Sequence, residues 1–326
     1  MKKLSVLFMM MVIMLTFAAC GQVTQEELVE SNVVESEVVE VENAPKTEEV
    51  VEMATQYPVT IVDHFDRQVV IESKPLKVIS LAPSLTETVF ALDAGEVLKG
   101  RTDYCTYPEQ VNDVQAVGSL KDPSIETIAE IAPDVIFAST HFQTETMTKL
   151  EDLGFKVVIL SAQDTFEGVY DVIEKAGIVL DKQEQAQNLV TDMKDKVNTV
   201  ELAIKDLEPT PVYYVVGFGE YGDYTAGAGT FIDQMITMAG GANAASDTEG
   251  WSYSLEKLVE KDPYMLLCSK YYDTKAGIEM ANGYKDLTAV KEGRLLEIDN
   301  DLLDRQGPRL ADGLEALAKL LHPEAF

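Results

Sequence analysis

The apolar and polar residues follow two periodicities along the chain, one typical of strands and one typical of helices. Residues 58–72 alternate apolar and polar positions around Asp66 and Arg67, which predicts a β-hairpin. Downstream, short apolar runs typical of buried strands alternate with segments of helical periodicity. The predicted strands are 77–82, 135–138, 157–160, 212–216, 265–268 and 295–298. The predicted helices are 86–92, capped by Ser84 or Thr86, then 124–132, 143–152, 166–179, 230–239, a helix at Glu256, and 309–321. This order predicts parallel sheets covered by helices on both faces.

The segment 182–207 differs from the rest because its apolar residues follow one uninterrupted helical stripe. The stripe consists of Ala186, Val190, Met193, Val197, Val200, Ile204 and Leu207. It predicts one amphipathic helix, roughly 39 Å long at about 1.5 Å per residue. A coiled-coil dimer is the alternative, but fewer than four heptads favour it only weakly. We therefore expect a monomer in which this helix is a rod between two lobes.

Two stretches 130 positions apart resemble each other. Residues 123–137 read PSIETIAEIAPDVIF and residues 253–267 read YSLEKLVEKDPYMLL. The matched pairs are Ser124 with Ser254, Glu126 with Glu256, Glu130 with Glu260, and Pro133 with Pro263. A repeat with so long a period predicts two similar α/β units. It also places Glu126 and Glu256 at the same point of each unit, where paired charges can serve docking.

These patterns predict an α/β protein with two Rossmann-like lobes, parallel sheets, one long inter-lobe helix and a ligand cleft between the lobes. The predicted divisions are a lipoprotein signal peptide at 1–19, a lipidated Cys20 with an acidic tether at 20–56, an N-terminal lobe at 57–181, a backbone helix at 182–208 and a C-terminal lobe at 209–326.

The N-terminal segment has the composition of a secretory signal. Lys2 and Lys3 precede an apolar run at 4–19, and residues 17–20 (FAAC) resemble a lipobox ending on Cys20. The apolar run is shorter than the roughly 20 residues that span a bilayer. Residues 21–56 carry ten glutamates and one lysine, so they predict an extended, solvated tether. We expect attachment to the lipid bilayer through Cys20, on the extracytoplasmic face of the cell membrane.

Charge excludes several classes of partner. The formal net charge is −30; without the +2 of residues 1–19 and the −9 of residues 21–56, the body carries −23. Such a charge argues against nucleic acid and anionic membrane surfaces as partners. Cys105 and Cys268 lie at unrelated points of the two units, so we expect two separate thiols. The three histidines show no metal-ligand spacing, so neither a protein site for a bare metal nor a resident cofactor is expected.

The candidate chemistry favours binding over catalysis. Residues 217–222 match G-x-G-x-x-G, but a dinucleotide fingerprint opens a helix and the next predicted helix starts only near Thr230. The sequence lacks a G-x-S-x-G motif. In α/β sheets, ligands bind beyond the carboxyl ends of the strands. The candidate ligand contacts there and in the adjoining loops are Ser84, Thr86, Tyr104, His141, Tyr221, Tyr224 and Trp251. Aromatic residues in such a cleft suit a large, flat, partly apolar ligand.

The chain from about residue 58 onward resembles a known family, the substrate-binding lipoproteins of metal-chelate ABC importers. This is the cobalamin and iron-siderophore group, built on a rigid helical backbone. The resemblance is carried by 78–87 (VISLAPSLTE), 100–108 (GRTDYCTYP), 125–126 with 132–136, 254–256 with 262–263, and 305–309 (RQGPR). It implies two lobes joined by a long helix, and a glutamate on each lobe, here Glu126 and Glu256, that docks onto arginines of the permease. The Tyr104 loop, Asp301 and Arg305 most resemble cobalamin binders, in which these positions contact the corrinoid.

The resemblance implies an extracytoplasmic receptor that captures a metal chelate, most specifically cobalamin, and delivers it to an ABC permease without catalysing a reaction. An iron-siderophore or heme receptor is the alternative within the family. An enzyme on the same scaffold, such as a chelatase or a nitrogenase-like protein, and a structural surface protein are the alternatives from other classes.

Overall fold

Two β-sheets joined by one long helix organise the computed structural model, which describes residues 54–140, 142–220 and 222–326. The elements before the long helix are β1 (Val59–Val62), β2 (Gln68–Ile71), β3 (Val78–Ser80), α1 (Pro83–Ala91), β4 (Leu98–Arg101), β5 (Gln115–Ala116), α2 (Ile125–Ile131), β6 (Val135–Ala138), α3 (Thr144–Asp152), β7 (Val157–Ile159) and α4 (Phe166–Leu180). Short 3-10 helices lie at Gly95–Val97 and Glu109–Asp113.

The long helix and the elements after it complete the fold. They are α5 (Gln183–Ile204), β8 (Thr210–Gly217), β9 (Tyr224–Thr225), α6 (Phe231–Met238), β10 (Gly241–Asn243), α7 (Leu255–Lys261), β11 (Met265–Ser269), α8 (Thr274–Met280), α9 (Thr288–Lys291), β12 (Leu295–Ile298), α10 (Asp301–Asp304) and α11 (Leu310–Leu321). Further 3-10 helices lie at Tyr284–Asp286 and Pro323–Ala325.

Among the described strands, the five-stranded sheet of the N-terminal lobe is parallel throughout, and that of the C-terminal lobe is parallel apart from the short strand β9. In the N-terminal lobe the described strands pair in the order β5-β4-β3-β6-β7. In the C-terminal lobe the order is β10-β8-β11-β12, and β9 pairs antiparallel with β8. Strands β1 and β2 form the predicted hairpin, with Asp66 in the left-handed conformation at the turn (φ 57°). The α/β fold class with parallel sheets is therefore confirmed, while the exact domain boundaries stay a prediction.

The helix predicted at 182–207 is α5, which ends at Ile204 and is roughly 33 Å long at about 1.5 Å per residue. Its buried residues are Ala186, Val190, Met193 and Val200, all members of the predicted stripe. The stripe packs along α4 of the N-terminal lobe and α11 of the C-terminal lobe. One hydrophobic core consequently runs from the N-terminal sheet through α5 into the C-terminal sheet, and separate clusters cover the outer face of each sheet.

The internal repeat is also present in the structure. Ser124 and Ser254 each accept a hydrogen bond at the side chain from the backbone N–H three residues on, so both cap the helices α2 and α7. Both helices are seven residues long and end on a left-handed residue, Ala132 (φ 50°) or Asp262 (φ 40°), before a buried strand. Local sequence dictates each of these short helices, because the serine cap, the left-handed residue and the proline that follows it lie within about ten residues of one another.

Two predictions at the edges of elements are wrong. Helix α1 begins at Pro83 and has no side-chain cap, because its N-cap residue is Ala82, which has no polar side-chain atom. Ser84 and Thr86 therefore lie inside the helix and do not cap it. The predicted tether overlaps the folded body, since Thr55 is buried and its hydroxyl donates to the carbonyl of Ile178 at 2.8 Å.

A buried ion-pair cluster joins the two lobes. Glu87 on α1 is 2% exposed at its side chain and accepts from Arg305 Nη1 at 2.9 Å. Arg309 donates to the same carboxylate through Nε and Nη2, each at 2.7 Å. Helix α1 is buried around much of its surface, so a charge on it must be paired. The cluster places the segment 301–309 of the C-terminal lobe against the first helix of the N-terminal lobe.

Close backbone approach reinforces this junction. A side chain at Gly307 would lie 3.1 Å from the carbonyl oxygen of Ser84, so glycine lets the two lobes touch there. Beside it, Gln306 Nε2 donates to Asp164 Oδ1 at 2.6 Å across the same junction. Charged, polar and backbone contacts thus converge on residues that follow the ends of parallel strands.

We predict that Glu87→Ala lowers the free energy of unfolding by about 3–5 kcal/mol, because two largely buried guanidinium groups lose their counter-charge. Urea unfolding measures the loss. The free energy of unfolding of Glu87→Gln, which keeps the size of the side chain, should lie between those of wild type and Glu87→Ala. The control is Glu145→Ala, which breaks an exposed pair with Lys149 and should cost nothing measurable. An equal effect of Glu87→Ala and the control would contradict a structural role for the cluster.

Candidate functional site

A cavity of about 540 Å³ opens between the two lobes, at the carboxyl ends of the N-terminal strands. Its polar lining comes mostly from the N-terminal lobe, and the segment 304–306 closes it from the other side. The polar groups in its wall include Ser84, Ser139, Thr140, Ser161, Gln163 and Gln306. The parallel strands all end at this edge of the sheet, so residues that are far apart in sequence lie together in one wall of the cavity.

A second cavity of about 440 Å³ adjoins the first. Both cavities are lined by Asp164, Asp304 and Gln306, and the second also by Trp251 and Phe231. The hydrogen bond between Gln306 and Asp164 therefore lies in the wall that the two cavities share. Together the two cavities form what we call the cleft, with polar side chains at one end and two aromatic residues at the other.

Arg305 lies in the wall of the first cavity and is held by groups from both lobes. Besides Glu87, it pairs with Asp301 through Nη2 at 2.8 Å. The same Nη2 donates to Thr106 Oγ1 at 2.9 Å and lies 3.5 Å from the carbonyl oxygen of Tyr104. The predicted trio of Tyr104, Asp301 and Arg305 is thus brought together, although Tyr104 and Asp301 do not line either cavity.

Two carboxyl groups beside Arg305 have perturbed acidities. Burial raises the pKa of Asp301, and the opposing charge of Arg305 only partly offsets it. Asp304 is exposed in the cleft, but the protein around its carboxyl group partly desolvates it, and this desolvation raises its pKa as well. Asn300 Nδ2 donates to Asp304 Oδ2 at 2.7 Å, which favours the ionised form and opposes that increase.

The loop that carries Tyr104 rests on a buried polar cluster. Cys105 is 1% exposed, and its Sγ lies 3.1 Å from Thr86 Oγ1 and 3.2 Å from Thr102 Oγ1. Thr86, predicted as a ligand contact, is itself fully buried and donates to Ser80 Oγ at 2.8 Å. Thr86 consequently supports the loop from below and has no surface in the cleft. Above this cluster, Tyr104 is 56% exposed.

Tyr224 and Trp251 lie on neighbouring segments of the C-terminal lobe. The backbone N–H of Thr225 donates to the carbonyl of Trp251 at 2.8 Å, and Tyr224 and Trp251 remain 41% and 48% exposed. Trp251 lines the second cavity, whereas Tyr224 does not. The glycine motif at 217–222 leads into β9, which runs back along β8, and α6 begins only at Phe231. The loop therefore lacks the strand-to-helix turn of a dinucleotide site.

Several predicted residues cannot be placed. His141, Tyr221 and Cys20 lie outside the described residues. Sequence reasoning assigned no site role to Glu87 or Asp164, each of which contacts the opposite lobe. Local patterns could not reveal these roles, because the partners are separated by 218 and 142 positions.

The two proposed docking glutamates are exposed at the first turns of α2 and α7. Ser254 Oγ donates to Glu256 Oε2 at 2.6 Å, and this hydrogen bond lowers the pKa of the Glu256 carboxyl. On α2 the equivalent Ser124 Oγ instead accepts from Thr127 Oγ1 at 2.9 Å. The Glu256 carboxylate is therefore held in place by its cap, whereas Glu126 lacks this contact.

The structure also bears on the cysteines, on possible metal ligands and on membrane-spanning helices. Cys105 and Cys268 are free and buried, which confirms two separate thiols. In the described part of the chain, no group of three or more His, Cys, Asp or Glu residues is placed to hold a metal ion. No helix among residues 54–140, 142–220 and 222–326 is long and apolar enough to cross a membrane.

Comparison with known proteins gives consistent matches. The family model described as "Periplasmic binding protein" matches residues 78–302. An uncharacterized ABC transporter substrate-binding lipoprotein, YvrC of Bacillus subtilis, is 32% identical over 83% of this chain and 87% of its own length. A cobalamin-binding protein of Halobacterium salinarum is 25% identical over 82% of this chain and 75% of its own length.

A solved structure agrees with these matches. A periplasmic heme-binding protein from Pseudomonas aeruginosa superposes with a TM-score of 0.69 and 28% identity, covering 77% of this chain and 94% of its own. The family match spans both sheets and α5, so it concerns the whole two-lobed arrangement. The chain belongs to the periplasmic binding protein family, whose members are substrate-binding proteins of ABC importers and not enzymes.

Proposed function

We propose that this protein captures a cobalamin-like corrinoid in the cleft and delivers it to the permease of an ABC importer. The observation that carries the proposal is the placement of Arg305, held by Asp301, in the cleft wall beneath the Tyr104 loop. The chain resembles cobalamin binders at these positions, and a cobalamin-binding relative covers most of its length. An iron or heme chelate is the second candidate, favoured by the heme-binding structural neighbour.

The cleft has features that suit such a ligand. Two adjoining cavities offer room for a molecule larger than either alone. Trp251 provides an aromatic face at one end, and hydroxyl and amide side chains provide hydrogen-bonding groups at the other. A flat, partly apolar chelate with polar substituents needs both kinds of surface.

We predict that the purified protein binds cyanocobalamin and that Trp251→Ala weakens the affinity about tenfold or more. The physical reason is that a tryptophan anchor contributes about 2 kcal/mol to an interface. Calorimetric titration measures the variant, while fluorescence quenching reports on wild type through its single tryptophan.

The matched control is Tyr264→Ala. Tyr264 is 52% exposed and precedes β11, so it lies at the end of the strand opposite the cleft. This variant should bind with wild-type affinity. Parallel titrations with hemin and ferric siderophores test the second candidate. Binding to none of these chelates would contradict the proposed ligand class.

The proposal includes docking of Glu126 and Glu256 onto positively charged residues of the permease. Their equivalent places on α2 and α7 give one exposed carboxylate to each lobe. Exposed ion pairs are individually weak, so their contribution is to orientation and encounter rate rather than to affinity.

We predict that Glu126→Ala combined with Glu256→Ala leaves the chelate affinity unchanged within about twofold but slows uptake about tenfold or more at low salt, because steered encounters lose their charges. Uptake of labelled cyanocobalamin by proteoliposomes measures the effect. The control removes the same charge from α5, with Glu184→Ala and Glu201→Ala. Equal uptake by the two double variants would refute the docking role.

We also propose that Cys20 carries a lipid that holds the protein at the extracytoplasmic face of the membrane. The lipobox-like residues 17–20 support this, as does the lipoprotein description of the Bacillus subtilis relative. We predict that Cys20→Ala moves the protein from the membrane fraction to the soluble fraction, as measured by cell fractionation. A variant that stays with the membrane would contradict the lipid anchor.

A further inference from the structure

Negative charge without a cationic partner faces the cleft. Asp164 and Asp304 line both cavities, and neither forms an ion pair among the described residues. The Asp164 carboxylate accepts from the amide of Gln306, and the Asp304 carboxylate accepts from the amide of Asn300. These neutral donors leave the two formal charges in place.

Positive charge near the cleft is already neutralised. Arg305 is the one cation in the described lining of the two cavities, and its guanidinium is shared between Glu87 and Asp301 at 2.9 and 2.8 Å. Arg309, behind it, donates twice to the same Glu87 carboxylate and stacks at 4.0 Å on the ring of Tyr107. The wall consequently offers no uncompensated cation to a ligand.

The remaining polar lining consists of neutral hydrogen-bonding groups. Ser84, Ser139, Thr140 and Ser161 contribute hydroxyls, and Gln163 contributes an amide. Hydroxyls and amides both donate and accept, as do the amide substituents of a chelate. A carboxylate substituent only accepts, and it would add a negative charge beside two aspartates.

We infer that the cleft selects chelates whose periphery is neutral or cationic and amide-bearing over chelates that carry carboxylates, and that Asp304 is a specificity-determining residue. This inference rests on the proposed function and narrows its ligand class. Like charges brought into a partly desolvated cleft repel more strongly than they do in water. Discrimination therefore arises from the repulsive group as much as from the attractive contacts.

The test uses cyanocobalamin and its three monocarboxylic acids, in each of which one propionamide is replaced by a carboxylate. Each acid differs from cyanocobalamin by one negative charge and has nearly the same shape. Calorimetric titration at pH 8 should show wild type binding each acid about tenfold more weakly than cyanocobalamin, with Asp304→Asn reducing at least one of these ratios to about twofold. The asparagine can still accept the hydrogen bond from Asn300, so the local structure is retained.

The control variant is Asp195→Asn, which removes an exposed charge from α5, outside the lining of both cavities. It should leave all three ratios unchanged. Equal or tighter binding of the acids by wild type, or ratios that Asp304→Asn does not alter, would overturn the inference. Tight binding of hemin, which carries two carboxylates, in preference to cyanocobalamin would also overturn it while leaving the receptor function intact. Failure of every chelate to bind would instead remove the proposed function itself.

Discussion

The carboxylate of Glu87 is the constraint on which the geometry of the cleft depends. It is buried on a helix of the N-terminal lobe, and two arginines of the C-terminal lobe satisfy it. A buried carboxylate without these partners would be strongly unfavourable, so the segment 301–309 has to lie against α1. That placement brings Arg305 beside Thr106 and sets Gln306 across from Asp164. The walls of both cavities follow from these positions.

The same constraint acts together with a shared hydrophobic core. Helix α5 packs against one helix of each lobe, and its buried stripe belongs to a core that continues into both sheets. Close-packed interiors resist shear, so the lobes are coupled along the rod as well as at the cleft. This arrangement favours small closing movements over wide hinge opening, because a large rotation would separate buried apolar surfaces and the ion-pair cluster at once.

The proposed recognition and docking sites lie at opposite ends of the parallel strands. Side chains of the cleft follow the carboxyl ends of β3, β6, β7 and β12, whereas α2 and α7 precede β6 and β11. A parallel sheet separates these two ends by the length of its strands. The charge pattern differs accordingly: Arg305, the one cation in the described lining of the cleft, is paired, whereas an exposed carboxylate lies at the start of α2 and of α7.

The sequence by itself determined the features that arise from short-range physics: the alternation of strands and helices, the amphipathic rod, and the two capped helices with their glutamates. Periodicity, caps and turns act within a few residues, so β6 and β12 occur where they were predicted. Only the tertiary structure decided that β4 and β10 are strands, since glycine and polar residues weaken their local signal and pairing supplies the stability. It also decided that Thr86 is buried and that Glu87 joins the lobes. Those roles depend on partners more than 200 positions away for Glu87, and on the packing of the Cys105 loop for Thr86.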